Sequence, residues 1–188
     1  MITTYVALLR GINVGGHRKV PMADLRALLT GLGHGQVRTY LQSGNAVFTS
    51  ASDDEQALAA ALEHAIEERF GFTVDCLVRN AAYLRAVADA CPFPADALEG
   101  RQLHLICFSE RVGPERLASL DPAAYLPEEF RLGDRALYLY APDGLGRSKL
   151  GDALGRPALF RGTTATSRNW NTVVKLLELT RLLELTRD

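Results

Sequence analysis

The chain reads as an α+β protein made of two ferredoxin-like (split βαβ) halves with a C-terminal helix. Three observations predict this. The apolar patterns from Tyr5 to Arg79 run strand, helix, strand, strand, helix, strand, which is the split βαβ order. Part of that order returns after Gly100, as an internal duplication. A polar stretch, Thr163–Thr172, then leads into a last leucine-rich helix.

The elements follow in order. "YVALL" (Tyr5–Leu9) is a continuous apolar run and reads as a buried strand. Pro21 suits a first helical turn, where its missing N–H costs nothing. Met22, Leu25, Leu28, Leu29 and Leu32 then share one helical face, and Gly31, Gly33 and Gly35 end the helix. "VRTYLQ" and "AVFTS" are strands joined through Ser43, Gly44 and Asn45, with Gly and Asn expected to supply positive φ in the turn. Ser52 and Glu55 have capping-box spacing. Leu58, Leu62, Ile66 and Phe70 follow at i, i+4 intervals until Gly71 closes that helix. "FTVDCLVR" is a fourth strand, and Asn80 caps a short helix reaching Ala90.

Pro92 and Pro94 break the pattern, which places the boundary between halves 1–90 and 91–188 inside what is expected to be one compact unit. "QLHLICF" is the next strand and "GPERLASL" the next helix, with Pro114 near its start. "EEFRL" and "ALYLYA" pair across Gly133 and Asp134. The sequence "LLELTR" occurs twice, at Leu176–Arg181 and Leu182–Arg187. A six-residue shift rotates a helix by about 240°, so the two leucine clusters cannot share a face, and a partly packed tail is expected.

Composition narrows the function classes. The 188 residues carry a formal net charge of −1, which does not favour nucleic acid. No apolar stretch approaches the roughly 20 residues of a membrane span, and no leader pattern follows Met1, so a cytoplasmic protein is expected. Cys76, Cys91 and Cys107 are far apart, as are His17, His34, His64 and His104. Buried reduced thiols are expected, and no metal site.

"LLRGINVGGHRKVPM" asks whether it is a phosphate loop. Gly11 and Gly16 have the spacing of a Walker A loop, but His17 and Arg18 stand where Lys and Ser or Thr belong. The dinucleotide pattern also fails. What remains is a glycine-rich basic loop. Gly11, Gly15 and Gly16 can turn N–H groups towards an anion, Arg10, Arg18 and Lys19 add charge, and Asn13 both donates and accepts. "APDGLGRSKL" brings Arg147, Ser148 and Lys149, and "TTATSRNWNT" brings Arg168, Asn169 and Trp170. Ser167 or Asn169 can cap the last helix, and a core anchor is the favoured role of Trp170. The three lysines, Lys19, Lys149 and Lys175, all lie in or just after these segments.

These motifs, "LLRGINVGG", "KVPM", "TYLQSGNAVF", "GRSKL" and "RNWNTV", resemble the bacterial family of domain of unknown function 1697 from Leu8 to Val173. Arg10, Gly11, Asn13, Gly15, Gly16, Lys19, Pro21, Ser43, Gly44, Asn45, Arg147, Ser148, Lys149 and Arg168–Asn171 stand at its motif positions. The resemblance implies an α+β fold with ferredoxin-like parts and assigns no activity. The chain departs from it at His17 and Arg18, where such loops often carry Lys or Asn, and at Ser167, which replaces a threonine. The segment between Lys149 and Arg168, with "GRPALFRG", is also atypical.

The leading expectation is a site for a small anionic ligand, phosphorylated or carboxylated. Arg10, Lys19, Arg147, Lys149 and Arg168 would bind charge, and Ser43, Asn45, Ser148 and Asn169 would orient it. Neither paired carboxylates nor an activated nucleophile is recognisable, so catalysis and cofactor stay unassigned. A single-strand nucleic-acid binder, stacking bases on Tyr40 and Phe48 or on Tyr138 and Tyr140, is second. A protein-interaction scaffold is third. Oligomeric state is not legible.

Overall fold

In the computed structural model, which describes residues 1–186, the first apolar run forms strand β1 (Thr3–Leu9), buried from Thr4 onwards. Helix α1 (Met22–Gly31), strands β2 (Gly35–Tyr40) and β3 (Asn45–Ser50), helix α2 (Glu55–Phe70) and strand β4 (Cys76–Asn80) follow. The sheet is antiparallel throughout, in the order β2-β3-β1-β4. The strands on either side of α1 are thus separated by the inserted β3, the ferredoxin-like arrangement.

Side chains alternate across a strand. Tyr5, Ala7 and Leu9 of β1 therefore share a core with Ala46 and Phe48 of β3 and Cys76 and Val78 of β4. Leu25 and Leu29 of α1 and Leu58, Leu62 and Ile66 of α2 complete this core, each row at helical i, i+4 spacing. Each such fully buried large side chain contributes about 1.5–3 kcal/mol. Leu32, expected on the same α1 face, is 36% exposed because the helix has already ended at Gly31.

Two local expectations are corrected, the cap of α2 and the turn of the first hairpin. The cap of α2 is Asp54, whose carboxylate accepts from Gln56 and Ala57 N–H. Ser52 accepts instead from the N–H of Asp54, and Glu55 accepts from the N–H of Asn80. In the first hairpin Tyr40 pairs with Asn45, so Asn45 belongs to β3, and Leu41 (φ 59°) and Gly44 (φ 92°) are the left-handed residues. Strand β2 carries a bulge between Gly35 and Arg38, with Gln36 at φ 49°. Gly71 (φ 76°) closes α2 as expected. Asn80 caps helix α3 (Ala81–Asp89) by accepting from the N–H of Tyr83.

The second sheet repeats the first. Strands β5 (Leu103–Phe108), β6 (Glu129–Gly133), β7 (Ala136–Tyr140) and β8 (Ala165–Asn169) lie in the order β6-β7-β5-β8. Its crossover differs from the expected helix after Gly113. Two 3-10 turns, Pro114–Leu117 and Pro122–Tyr125, stand there, each opened by its proline. The hairpin pairs Gly133 with Ala136, so its turn residues are Asp134 and Arg135 rather than Gly133 and Asp134. Helix α4 (Lys149–Leu154) packs Leu150 and Leu154 with Ile106, Phe108, Leu137, Leu139 and Phe160.

The last helix, α5 (Trp170–Leu185), buries Val173, Leu176, Thr180 and Leu183. Leu182 and Leu185 are 40% and 71% exposed, as the six-residue repeat requires; its final residue, Arg187, lies outside the described residues. By contacts the chain divides into one unit of Met1–Arg85 with the chain from Lys175 on, and another of Ala86–Val174. No helix among the described residues is long and apolar enough to cross a membrane.

A Cβ at Gly44 would stand 2.7 Å from Ile12 Cδ1 and 2.8 Å from Leu9 Cβ, at a φ of +92°. Gly44→Ala is therefore expected to lose about 2–4 kcal/mol of unfolding free energy. Gly31→Ala, with nothing within 4 Å, is expected to be neutral or stabilising; urea midpoints read both. His34 Nε2 and His104 Nδ1 are buried without a hydrogen bond, and burial lowers both pKa values. The unfolded chain then takes up protons near pH 6.5 that the folded chain resists, so stability falls as pH drops through about 6.5. Urea midpoints at pH 7.5 and 5.5 should show this fall, and His34→Gln with His104→Gln should flatten it.

Candidate functional site

The loop from Arg10 to Val20 has a left-handed backbone to an unusual degree. Gly11, Asn13, Gly15, Gly16 and Arg18 have φ of 65°, 55°, 59°, 76° and 48°. A Cβ at Gly11 or Gly16 would meet nothing within 4 Å, so φ, not space, explains those glycines. Ile12 and Val20 are buried pegs at 1% and 0% exposure. Between them the Asn13 side chain closes the loop. Its Oδ1 accepts from Val20 N–H (2.8 Å), and its Nδ2 donates to the carbonyls of Val20 (3.0 Å) and Gln42 (2.6 Å). The last bond ties the loop to the β2–β3 hairpin. Leu9 N–H also donates to the carbonyl of Gly44 at 2.9 Å, which is why that hairpin needs a residue without a side chain there.

Asn13, Gly16 and Lys19 from this loop line a cleft of about 710 Å³ with Pro21, Met22, Ala23, Arg26 and Gln42. Pro21 stands at the N-cap of α1 and offers no side-chain acceptor, so the first-turn N–H groups gain no side-chain cap there. Arg26 lies one turn into α1, and its Nη1 donates to Thr39 Oγ1 at 2.6 Å, which holds the guanidinium while leaving other donors. Lys19 is exposed and forms no ion pair with any described residue. Asp24, the acidic residue of that first turn, pairs with Arg69 at 3.3 Å.

The other expected residues of this unit have local work. Arg10 pairs with Asp75 at 3.5 Å. Gly11 and Gly15 shape the loop. Asn45 is fully buried, and its Nδ2 donates to the Tyr40 carbonyl (2.8 Å) and to Ser43 Oγ (3.2 Å), closing the hairpin loop. Arg26 and Gln42 are the polar lining residues, beside Pro21, Met22 and Ala23, that the sequence does not single out as site residues. The spacing Met22 to Arg26, one helical turn, was the available signal.

In the second unit the basic loops are organised differently. Arg147 is exposed in a 3-10 turn, Leu145–Arg147. Ser148 caps α4 by accepting from Gly151 N–H at 2.7 Å, and its hydroxyl also donates to the Glu128 carboxylate. The N–H groups of Lys149 and Leu150 donate to the same carboxylate at 3.1 and 3.2 Å. Glu128 thus occupies the position an external anion would take at α4, while the Lys149 side chain stays exposed. Arg168 is buried, its Nη1 donates to Thr166 Oγ1 and to the Ser167 carbonyl, and burial lowers its pKa to about 10. Asn169 ends β8 and caps α5, accepting from Thr172 N–H at 3.0 Å. Trp170 is 9% exposed, as a core anchor is, and its N–H donates to the Gly100 carbonyl. Of the aromatics considered for base stacking, Phe48 and Tyr138 are interior at 1% and 2% exposure, and Tyr40 and Tyr140 are half-buried.

The model of the family described as "Protein of unknown function (DUF1697)" matches residues 2–138 of the chain. No curated protein matches it significantly. A solved structure, that of a conserved bacterial protein from Streptococcus pneumoniae, is 25% identical and superposes with a TM-score of 0.76, covering 96% of this chain and 99% of its own. That similarity supports the two-sheet α+β architecture along nearly the whole length.

If Ser148 serves the fold through its cap and Glu128, Ser148→Ala should lower stability by about 1 kcal/mol. Glu128→Gln should lower it as well, since it weakens three hydrogen bonds to a carboxylate. Denaturant titration checks both.

Proposed function

The chain belongs to the family of proteins of unknown function DUF1697, and within it we propose that the loop Arg10–Val20 and the start of α1 bind a small anion. The ligand class is a small molecule bearing a phosphate or carboxylate. The observation that carries this reading is the cleft in which Lys19 and Arg26 meet a helix start that has no side-chain cap. Helix N-termini attract anions through N–H groups and the macrodipole. Charge bias supports the same reading. Residues 1–50 carry Arg10, Arg18, Lys19, Arg26 and Arg38 against a single acidic residue, Asp24, in a chain of net charge −1.

Part of the expected set keeps a place in this reading. Gly16 lets the backbone approach the ligand, Lys19 and Arg26 bind its charge, and Asn13 holds the wall. Gly11, Gly15, Ser43 and Asn45 set the loops that frame it. Arg147, Ser148, Lys149, Arg168, Asn169 and Trp170 are not needed for it. Among the described residues no carboxylate, thiol or imidazole lines the cleft, so the reading is one of binding. Base stacking gains no support from Phe48 and Tyr138, whose rings are interior.

A titration with inorganic phosphate and simple carboxylates, followed by thermal unfolding, tests the proposal. Saturating ligand should raise Tm, and the effect should weaken as ionic strength rises. Lys19→Ala and Arg26→Ala should each weaken binding about tenfold or more, since each deletes a charge-assisted hydrogen bond. Arg156→Ala, an exposed cation in the other unit, should not. Equal behaviour of the three variants would sink the site.

A further inference from the structure

We propose that the ligand of this cleft is amphiphilic, with one phosphate or carboxylate head on an apolar body several carbons long. This rests on the anion-site reading above and adds the chemistry of the rest of the ligand. Size is the first argument. The cleft measures about 710 Å³, within the roughly 300–1,000 Å³ of sites that take whole organic molecules. An inorganic oxyanion would occupy a small part of it.

The distribution of polar groups is the second argument. Lys19 and Arg26 are the two charged side chains of the lining, which suits one anionic head and not a polyanion. Pro21 and Ala23 contribute exposed carbon, and Met22, 8% exposed, belongs mainly to the core beneath them. Both amide protons of Asn13 are already given to the Val20 and Gln42 carbonyls, so Asn13 has no side-chain donor left for a sugar or a polar body.

The rim is the third. Val14 is 68% exposed and Leu41 is 51% exposed. Each is the chain neighbour of a lining residue, Asn13 and Gln42, and those two are bonded at 2.6 Å. Leu41 also has φ 59°, a conformation that bulky residues adopt at a cost and that glycine would hold freely. An exposed leucine in that conformation serves the isolated turn poorly on both counts. It serves a ligand whose carbon chain leaves the cleft between the two loops and covers it.

The experiment is a calorimetric and thermal-shift series on the intact protein with inorganic phosphate, then ethyl, butyl and hexyl phosphate below their aggregation limits. Affinity should rise about two- to fourfold per added methylene while the chain is being buried. Leu41→Gly and Val14→Ser should flatten that series and leave inorganic phosphate binding unchanged. Leu41→Gly should keep or raise Tm, which separates lost contact from lost fold. Phosphate binding with a flat alkyl series overturns this inference and leaves the anion site standing. No binding of any member removes both. Binding to phosphatidylcholine vesicles containing phosphatidic acid, without binding of the monomeric alkyl phosphates, overturns it in favour of a membrane surface.

Discussion

Asn13 pairs its side-chain amide with both peptide groups of Val20, accepting from the N–H and donating to the C=O. This is the exchange two strand residues make, carried out by one side chain seven residues away. The remaining amide proton reaches the Gln42 carbonyl. Three hydrogen bonds thus fix both ends of a loop whose backbone is left-handed at five positions. Two of those are not glycine, Asn13, a type that tolerates this region, and Arg18, which is disfavoured there by about 1–2 kcal/mol. The buried pegs Ile12 and Val20 and the amide between them must outweigh that. Remove the amide and the loop loses its closure, the hairpin loses its tie to it, and the cleft loses a wall.

The two halves share a sheet order and differ in what they do with helix starts. At α1 the N-cap is a proline with no acceptor, and the residues that follow face an open cleft. At α4 the N-cap is a serine, and Glu128 fills the space beyond it with a carboxylate held by one hydroxyl and two backbone N–H groups. The same basic, glycine-containing chemistry therefore appears twice, once beside a proline N-cap and once beside a serine N-cap joined to Glu128. A carboxylate supplied by the chain itself makes α4 a structural joint.

Most of the fold was legible because it is written in local periodicity. The α1 and α2 core rows, the Gly71 stop and the Asn80 cap are each decided within a few residues of sequence. Misreadings arose where several residues competed for one role. "ASDDEQ" offers Ser52, Asp53 and Asp54 as caps, and only the tertiary position of Asn80 explains why Glu55 is drawn elsewhere. The apolar spacing after Gly113 predicts a helix, whereas two 3-10 turns, each started by a proline, stand there. β8 shows in the sequence only as a polar stretch, because its side chains alternate between half-buried and buried positions without an apolar run. The cleft was legible in part. Asn13, Gly16 and Lys19 stand out by composition, whereas Arg26 and Gln42 join them only through the packing of α1 and the hairpin beside the loop.

Strand β2 lies at the edge of its sheet, with a bulge between Gly35 and Arg38 and a left-handed Gln36 whose amide donates to Thr186. An edge strand with a free, regular ladder recruits other chains, and bulges and charged residues are how proteins prevent it. Here the irregular edge sits next in the chain to the hairpin that displays Leu41. The molecule can therefore present apolar side chains to water at a loop tip while denying any incoming polypeptide the backbone register that would turn this contact into aggregation.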